Sequence, residues 1–198
     1  MNHLRFLSAP AIAVMAFALV LAGCGRVPER QWERGDFHPD PGRRWDLPGD
    51  LSVNSILGWE DEIENSLLPL ALAVRNSGGA RRSVTMPAGL CFKPRDPDYQ
   101  YMILLQDFTF SVPVDDTTVL LPTWCANEDL DEPDDESFYN IDLQAWDQDL
   151  KELYDLLRGK VIRDSFVDLD MLQDALWEIT DGVGLTDSTR TWLRELPE

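Results

Sequence analysis

Histidine is scarce in this sequence, with two copies among 198 residues, His3 and His38. This scarcity argues against a Ser-His-Asp triad or a histidine-ligated zinc site. His38 lies between Phe37 and Pro39, and we interpret it as a solvated side chain rather than a base or ligand. The sequence also lacks a GxSxG elbow, a phosphate loop and an HExxH motif,. It therefore predicts no enzyme and no cofactor, although the many carboxylates leave a glycosidase-like acid pair open.

Basic residues are also few, because 17 Lys and Arg stand against 36 Asp and Glu, for a formal net charge of −19. A nucleic-acid-binding protein needs a basic face that displaces counterions from phosphates, so this class is excluded. Electrostatic adsorption to anionic lipid headgroups is excluded for the same reason. The hydrophobic fraction of 44% is nevertheless high enough for a folded core,.

The N-terminal residues have the pattern of a targeting signal. Arg5 gives a short positive region, and an uncharged apolar run from Ala11 to Ala22 follows it. Such a run is too short to span a bilayer, which takes about 20 helical residues. It is typical of a signal peptide, and the sequence predicts one over residues 1–23.

The end of this run, Leu21-Ala22-Gly23-Cys24, resembles the bacterial lipobox. The resemblance implies that Cys24 carries diacylglycerol on its sulfur and, after signal cleavage, a further acyl chain such as palmitate on its amine. A lipoprotein of the cell envelope, anchored to a membrane through this lipid, is then expected. Gly25, where an Asp would favour the inner membrane, implies the outer membrane if the source is Gram-negative. An ordinary secreted protein with a chance cysteine is the alternative.

Residues 24–51 contain Pro28, Pro39, Pro41 and Pro48 among glycines and charges of both signs. Because proline interrupts helices and strand ladders alike, we predict an extended tether between the membrane and the domain. Trp32 and Trp45 could dock on the domain and order part of it.

Residues 52–125 have the pattern of short strands separated by turns. Apolar or alternating runs occur at 68–76, 81–89, 90–93, 99–106, 108–114 and 117–125,. Five or six such strands predict an immunoglobulin-like antiparallel β-sandwich. Whether Ile56, Trp59 and Ile63 belong to a short helix or to an entry strand stays open.

The remaining chain predicts an acidic loop (126–139) and a helical part (140–198) packed on the sandwich, so the fold class is α+β. The first helix is expected after Asn140 or Asp142 as N-cap, and a second from about Asp168 to Thr180. A third is expected to start near Asp187. The expected core stripe of the second helix consists of Met171, Leu172, Ala175, Leu176 and Ile179.

Two cysteines remain once Cys24 is lipidated. Cys91 and Cys125 both fall in predicted strands, and an exported protein folds in an oxidising compartment,. We therefore predict a disulfide between them, with free buried thiols as the alternative.

The segment Gln173-Asp174-Ala175-Leu176-Trp177 resembles the Gln-x-Ala-x-Trp block of bacterial thioester domains on surface adhesins. The resemblance implies that Gln173 and an upstream cysteine, Cys125, lose ammonia and form an internal thioester that acylates a nucleophile on a target. Independently, at 100° per residue Gln173 and Trp177 share one side of the second helix, away from its core stripe. This second face is expected to lie against the sheet.

The acidic loop from Asp129 to Glu136 offers oxygen ligands for Ca²⁺, but Pro133 and the missing glycine do not fit an EF-hand, so no metal site is predicted,. The first hypothesis for function is a non-catalytic envelope domain with a binding or structural role. Its partner would be a protein or a surface glycan. The second hypothesis is a thioester adhesin acting through Cys125 and Gln173.

Overall fold

The computed structural model describes residues 36–40, 42–182 and 184–198. Within them the chain forms mostly antiparallel sheets and three helices, which confirms the predicted α+β class. The strands are β1 Gly42–Arg43, β2 Leu51–Gly58, β3 Leu70–Asn76, β4 Arg82–Met86, β5 Leu90–Pro94, β6 Met102–Leu104, β7 Phe108–Val112, β8 Asp115–Leu121, β9 Thr123–Cys125 and β10 Tyr139–Ala145. The helices are α1 Gln148–Leu157, α2 Leu169–Thr180 and α3 Asp187–Glu195.

The central element is a five-stranded sheet in the order β1-β10-β5-β6-β9, in which every neighbouring pair is antiparallel. A three-stranded sheet, β2-β3-β8, and a two-stranded sheet, β4-β7, accompany it. Of the three residues left open between helix and strand, Ile56 lies in β2, which pairs along its length with β3, whereas Trp59 and Ile63 follow the end of β2. Strand β9 lies at one edge of the central sheet, and this position sets the environment of Cys125.

The two faces of the central sheet line two different apolar clusters. Cys91, Ile103 and Trp124 are cross-strand neighbours on β5, β6 and β9, and they belong to a cluster shared with the three helices. Phe92, Met102 and Cys125 are likewise cross-strand neighbours, and they belong to a cluster shared with the two smaller sheets. We call these the helix-side cluster and the sheet-side cluster. Alternation of side chains along each strand separates them.

Each helix begins at a residue whose side chain accepts hydrogen bonds from the first turn. Asp147 accepts from the amides of Asp149 and Leu150, Asp168 from that of Met171, and Thr186 from that of Thr189. These caps satisfy amides that have no partner inside the helix. The expected spans of α2 and α3 are therefore found close to where the sequence places them.

The first helix was expected too early. Tyr139–Ala145 is strand β10, and α1 is capped by Asp147 rather than by Asn140 or Asp142. The three-residue spacing of Leu143 and Trp146 fits a helix, but the backbone of this segment pairs with β5 on one side and β1 on the other. Pairing between segments so distant in sequence overrides a local pattern.

The described part of the tether is ordered against the domain. Phe37 is buried, and its carbonyl accepts a hydrogen bond from Asn127 Nδ2 at 3.3 Å. Trp45 is half-buried against the sheet-side cluster, in agreement with the docking expected for it. The signal peptide 1–23, Cys24 and Trp32 lie outside the described residues. Within the residues that the structure describes, no helix is both long and apolar enough to cross a membrane.

Candidate functional site

Cys125 is the last residue of β9, at the edge of the central sheet. One side of β9 pairs with β6, in a register that places Cys125 opposite Met102. An edge strand leaves amides and carbonyls on its other side without a ladder partner. Because Cys125 is fully buried, those groups need a partner from within the protein,.

Gln173 supplies that partner. Its Oε1 accepts a hydrogen bond from the Cys125 amide at 3.0 Å, and its Nε2 donates to the Cys125 carbonyl at 2.7 Å. The carboxamide therefore bonds both main-chain groups of one residue, as a paired antiparallel residue would. Gln173 is 6% exposed, so this contact is shielded from water.

Helix α2, which begins after the cap at Asp168, carries Gln173 to this position. Trp177, one turn further on, packs against the sheet-side cluster. The second face expected for Gln173 and Trp177 thus lies against the sheets. Met171, expected in the core stripe, is instead 43% exposed, since the helix turns this second face inward at its expense.

The thiol of Cys125 lies in an apolar environment. Its Sγ is 3.7 Å from the Sδ of Met102. Burial, and to a smaller extent the charge of Glu132, raises the pKa of this thiol well above its ordinary value. The thiol is therefore protonated near neutral pH, and it is not a preformed thiolate of the kind found in catalytic cysteines.

Two buried side chains with hydrogen-bond donors, Tyr139 and Trp177, contact the sheet-side cluster that contains Cys125. Tyr139 is a member of the sheet-side cluster with Cys125, and Trp177 packs on it. The Tyr139 hydroxyl and the Trp177 indole Nε1 have no hydrogen-bond partner among the described residues. Burial raises the pKa of Tyr139, the neighbouring Ser137 hydroxyl lowers it, and the proximity of Cys125 raises it again. The phenol is therefore a neutral donor.

The chain that follows Cys125 is held by reciprocal contacts with the chain that precedes β6. The Tyr101 amide donates to Asn127 Oδ1 at 3.0 Å, and the Asn127 amide donates to Gln100 Oε1 at 3.2 Å. Gln100 Nε2 also donates to the Leu130 carbonyl. These buried amide side chains fix the backbone at the end of β9, and so fix where Cys125 sits.

The Gln173 carboxamide thus lies against the main chain of Cys125, the residue that carries the thiol. Attack of Cys125 Sγ on the Gln173 carboxamide carbon would form a thioester and release ammonia. The Cys125 amide already donates to Oε1, the oxygen that would become the thioester carbonyl, so it would polarise that carbonyl,. The structure therefore joins the two residues that the thioester resemblance pairs.

The predicted disulfide between Cys91 and Cys125 is wrong, because both cysteines are free and buried. Cys91 is in register with Ile103 and belongs to the helix-side cluster, whereas Cys125 is in register with Met102 and belongs to the sheet-side cluster. The two thiols thus point to opposite faces of one sheet. Strand β6 also separates their strands, and neighbouring strands are about 4.8 Å apart. Of the alternatives, free buried thiols are found.

Two aspartates of the acidic loop, Asp131 and Asp134, are engaged in contacts with Tyr99. The Asp134 carboxylate accepts from the Tyr99 hydroxyl at 2.9 Å, and this bond lowers its pKa. Asp131 is bridged to Tyr99 through the backbone. In the described ranges, no group of three or more His, Cys, Asp or Glu side chains is placed to hold a metal ion.

Several residues of the site had no signal in the sequence. The pairing of Gln173 with the main chain of Cys125 depends on β9 being an edge strand, and the sequence pattern shows a strand without its neighbours. Gln100 and Asn127 are polar residues beside apolar runs, and nothing marks them as buried. Tyr139 lies at the end of the expected acidic loop, whereas the structure places it at the start of β10.

Comparison of the chain with family models, with curated proteins and with solved structures finds no match in any of the three.

Proposed function

We propose that this chain is a cell-envelope domain that attaches covalently to a partner surface through an internal thioester between Cys125 and Gln173. The observation that carries the proposal is the pair of hydrogen bonds joining the Gln173 carboxamide to Cys125, at 3.0 and 2.7 Å. The two residues are 48 positions apart in sequence. The sequence resemblance to thioester domains pairs the same two residues, independently of the structure.

The chemistry needs no oxidant, metal or external base. In the first step the Cys125 S–H adds to the Gln173 carboxamide, the S–C(=O) bond forms, the C–N bond breaks, and the proton leaves with ammonia. In the second step a nucleophile, such as an amine or hydroxyl of a partner protein or glycan, attacks the carbonyl carbon. The new amide or ester joins the partner to Gln173, and the Cys125 thiol recovers its proton. Each molecule reacts once, so the protein is not an enzyme in the catalytic sense.

Burial supports this role. Cys125 is fully buried and Gln173 is 6% exposed, which protects a thioester from hydrolysis. Tyr139 belongs to the same apolar cluster as Cys125, and Trp177 packs against that cluster. Access of a partner then requires local opening of the site.

Intact mass spectrometry tests the proposal directly. The purified chain is expected to be about 17 Da lighter than its sequence, and methylamine should then add about 31 Da at Gln173. Cys125→Ser should abolish both mass changes. Cys91→Ser is the matched control, since this second buried thiol lies on the other face of the sheet, and it should leave both changes intact. A full-mass chain that does not react with methylamine contradicts the thioester.

One observation favours a second, non-covalent function. The Gln173 carboxamide bonds the main chain of Cys125, while the thiol contacts Met102. On this alternative, Gln173 is a structural clamp on the edge of β9, and the domain has a binding or structural role. A full-mass chain in which Gln173→Ala is strongly destabilised would support the clamp.

We further propose that the domain is held at a membrane by lipid on Cys24, in the outer membrane if the source is Gram-negative. The Leu21-Ala22-Gly23-Cys24 box after an uncharged run supports this location,. We expect Cys24→Ser to abolish lipidation and to move the protein from the detergent phase to the aqueous phase in detergent partitioning. A Cys24→Ser protein that still enters the detergent phase after signal cleavage would contradict the anchor.

We also propose that the β part is an immunoglobulin-like antiparallel sandwich. Antiparallel sheets that share the sheet-side cluster support it. A crystal structure with the strand order of an immunoglobulin-like sandwich would support this proposal, and a different strand order would contradict it.

A further inference from the structure

A cleft separate from the Cys125 site lies beside α1. Its volume is about 620 Å³, within the range of small-molecule sites,. We call it the α1 cleft. It lies between β1, the end of β10, the loop after β6 and the C-terminal half of α1, and its walls include Arg43, Gln106, Trp146, Lys151 and Arg158. Neither Cys91 nor Cys125 lines the cleft.

The charge of the α1 cleft is opposite to that of the protein. Four cationic side chains line it, against two carboxylates, in a chain whose net charge is −19. The cationic residues are Arg43, Lys151, Arg158 and Lys160, and the acidic ones are Asp107 and Asp155. Such a local excess of positive charge in an acidic protein favours an anionic ligand.

The carboxylates do not neutralise this excess. Asp155 alone faces two cations, since it pairs with both Lys151 and Arg158. Asp107 accepts a hydrogen bond from the Ala88 amide at 2.8 Å, which orients it toward the backbone. One cation is accounted for elsewhere, because the Lys160 ammonium donates to the carbonyls of Arg194 and Leu196 near the C-terminus.

Arg43 is the best placed of the remaining cations. Its guanidinium carbon lies 4.0 Å from the centre of the Trp146 ring, and no carboxylate among the described residues forms an ion pair with it. Stacking on an indole fixes the plane of a guanidinium and leaves its N–H edge open for a bidentate contact. β1 holds Arg43 there by pairing it with Gln144 of β10.

The wall of the cleft at the end of α1 carries main-chain carbonyls that are already hydrogen-bonded. A helix C-terminus presents carbonyl groups that repel negative charge. Here Gln106 Nε2 donates to the carbonyls of Leu157 and Lys160, so these two groups are already bonded. These two carbonyls therefore repel an anion in the cleft less than unbonded carbonyls would.

We propose that the α1 cleft binds a small organic anion whose carboxylate or phosphate group is held by Arg43, together with Lys151 or Arg158. The two sources of negative charge share the same recognition, a planar or tetrahedral set of oxygens facing a guanidinium edge. This site is independent of the Cys125–Gln173 pair.

Calorimetric titration at constant ionic strength tests the proposal. The probes are galacturonate, citrate and glucose 6-phosphate, with galactose and glucose as neutral counterparts. At least one anion is expected to bind with a dissociation constant below about 1 mM, and the matched neutral sugars should not bind. Galacturonate or citrate binding would identify a carboxylate ligand, and glucose 6-phosphate binding a phosphate ligand.

Two arginine variants make the test specific. Arg43→Gln should weaken binding about tenfold, because it removes a charge-assisted contact. Arg44→Gln is the control, since Arg44 is exposed, pairs with Asp46 and does not line the α1 cleft. Circular dichroism should show both variants folded. Absence of binding by every anion, equal binding of a neutral sugar, or equal weakening by the two variants would overturn the proposal.

Discussion

Gln173 bonds the main chain of one residue of β9 with its side chain, as a residue of a neighbouring strand would. It satisfies the amide and the carbonyl of Cys125 at a buried edge where no further strand pairs. An unpaired buried main-chain group costs about 1–3 kcal/mol, so the side chain contributes to stability whether or not a thioester forms. The structural role and the proposed chemical role therefore rest on the same contact.

At this scale we predict that Gln173→Ala lowers the free energy of unfolding by about 2–4 kcal/mol, because it leaves both Cys125 groups without a partner. The measurement is urea denaturation in a Cys125→Ala background, in which no thioester can contribute. Asp174→Ala, at the exposed neighbouring position, should change stability by about 0.5 kcal/mol or less,. Equal stability of the two variants would show that Gln173 is not a clamp.

At the scale of elements, α1 and α3 are joined by a bidentate ion pair. Arg190 Nε and Nη2 donate to the two carboxylate oxygens of Glu152 at 2.8 and 3.0 Å. The hydrogen bond from Arg190 lowers the pKa of Glu152. Both side chains are partly exposed, so water and salt limit what the pair contributes,.

We predict that Arg190→Gln destabilises the protein at pH 7 by about 1 kcal/mol or less, measured by thermal or urea unfolding. Because the pKa of Glu152 is lower in the folded state, the stabilisation is present above its unfolded pKa of about 4.3 and is lost as the pH falls further. The difference from the parent should therefore shrink below about pH 4. Arg163→Gln, which removes a more exposed single contact with Glu64 at 3.3 Å, should have no effect at either pH. A deficit that stays constant with pH would contradict an ionic origin.

At the scale of the whole molecule, the dominant property is the net charge of −19. Like charges repel in the compact state, and salt screens them, since the Debye length falls from about 30 Å at 0.01 M to about 8 Å at 0.15 M. We predict a higher melting temperature at the higher NaCl concentration, measured by scanning calorimetry. Choline chloride should act equally, because screening does not depend on the cation. A large rise with micromolar Ca²⁺ alone would instead reveal a cation site in the acidic loop.

Features that depend on local pattern can be read directly from the sequence. Its charge and scarce histidines bounded the chemistry, and alternation and helical spacing located most of the strands, α2 and α3. The side of α2 that carries Gln173 and Trp177 also followed from the sequence, because helical geometry alone sets which residues share a face.

Tertiary structure decided everything that depends on which strands are neighbours. A strand pattern specifies two faces but not what covers them, so the sequence could not show that Cys91 and Cys125 point to opposite clusters. It could not show that Tyr139–Ala145 joins β1 and β5, because strand pairing is made between residues far apart in the chain. The contact of Gln173 with Cys125 arises in the same way, since an edge strand exists only once its sheet is assembled,.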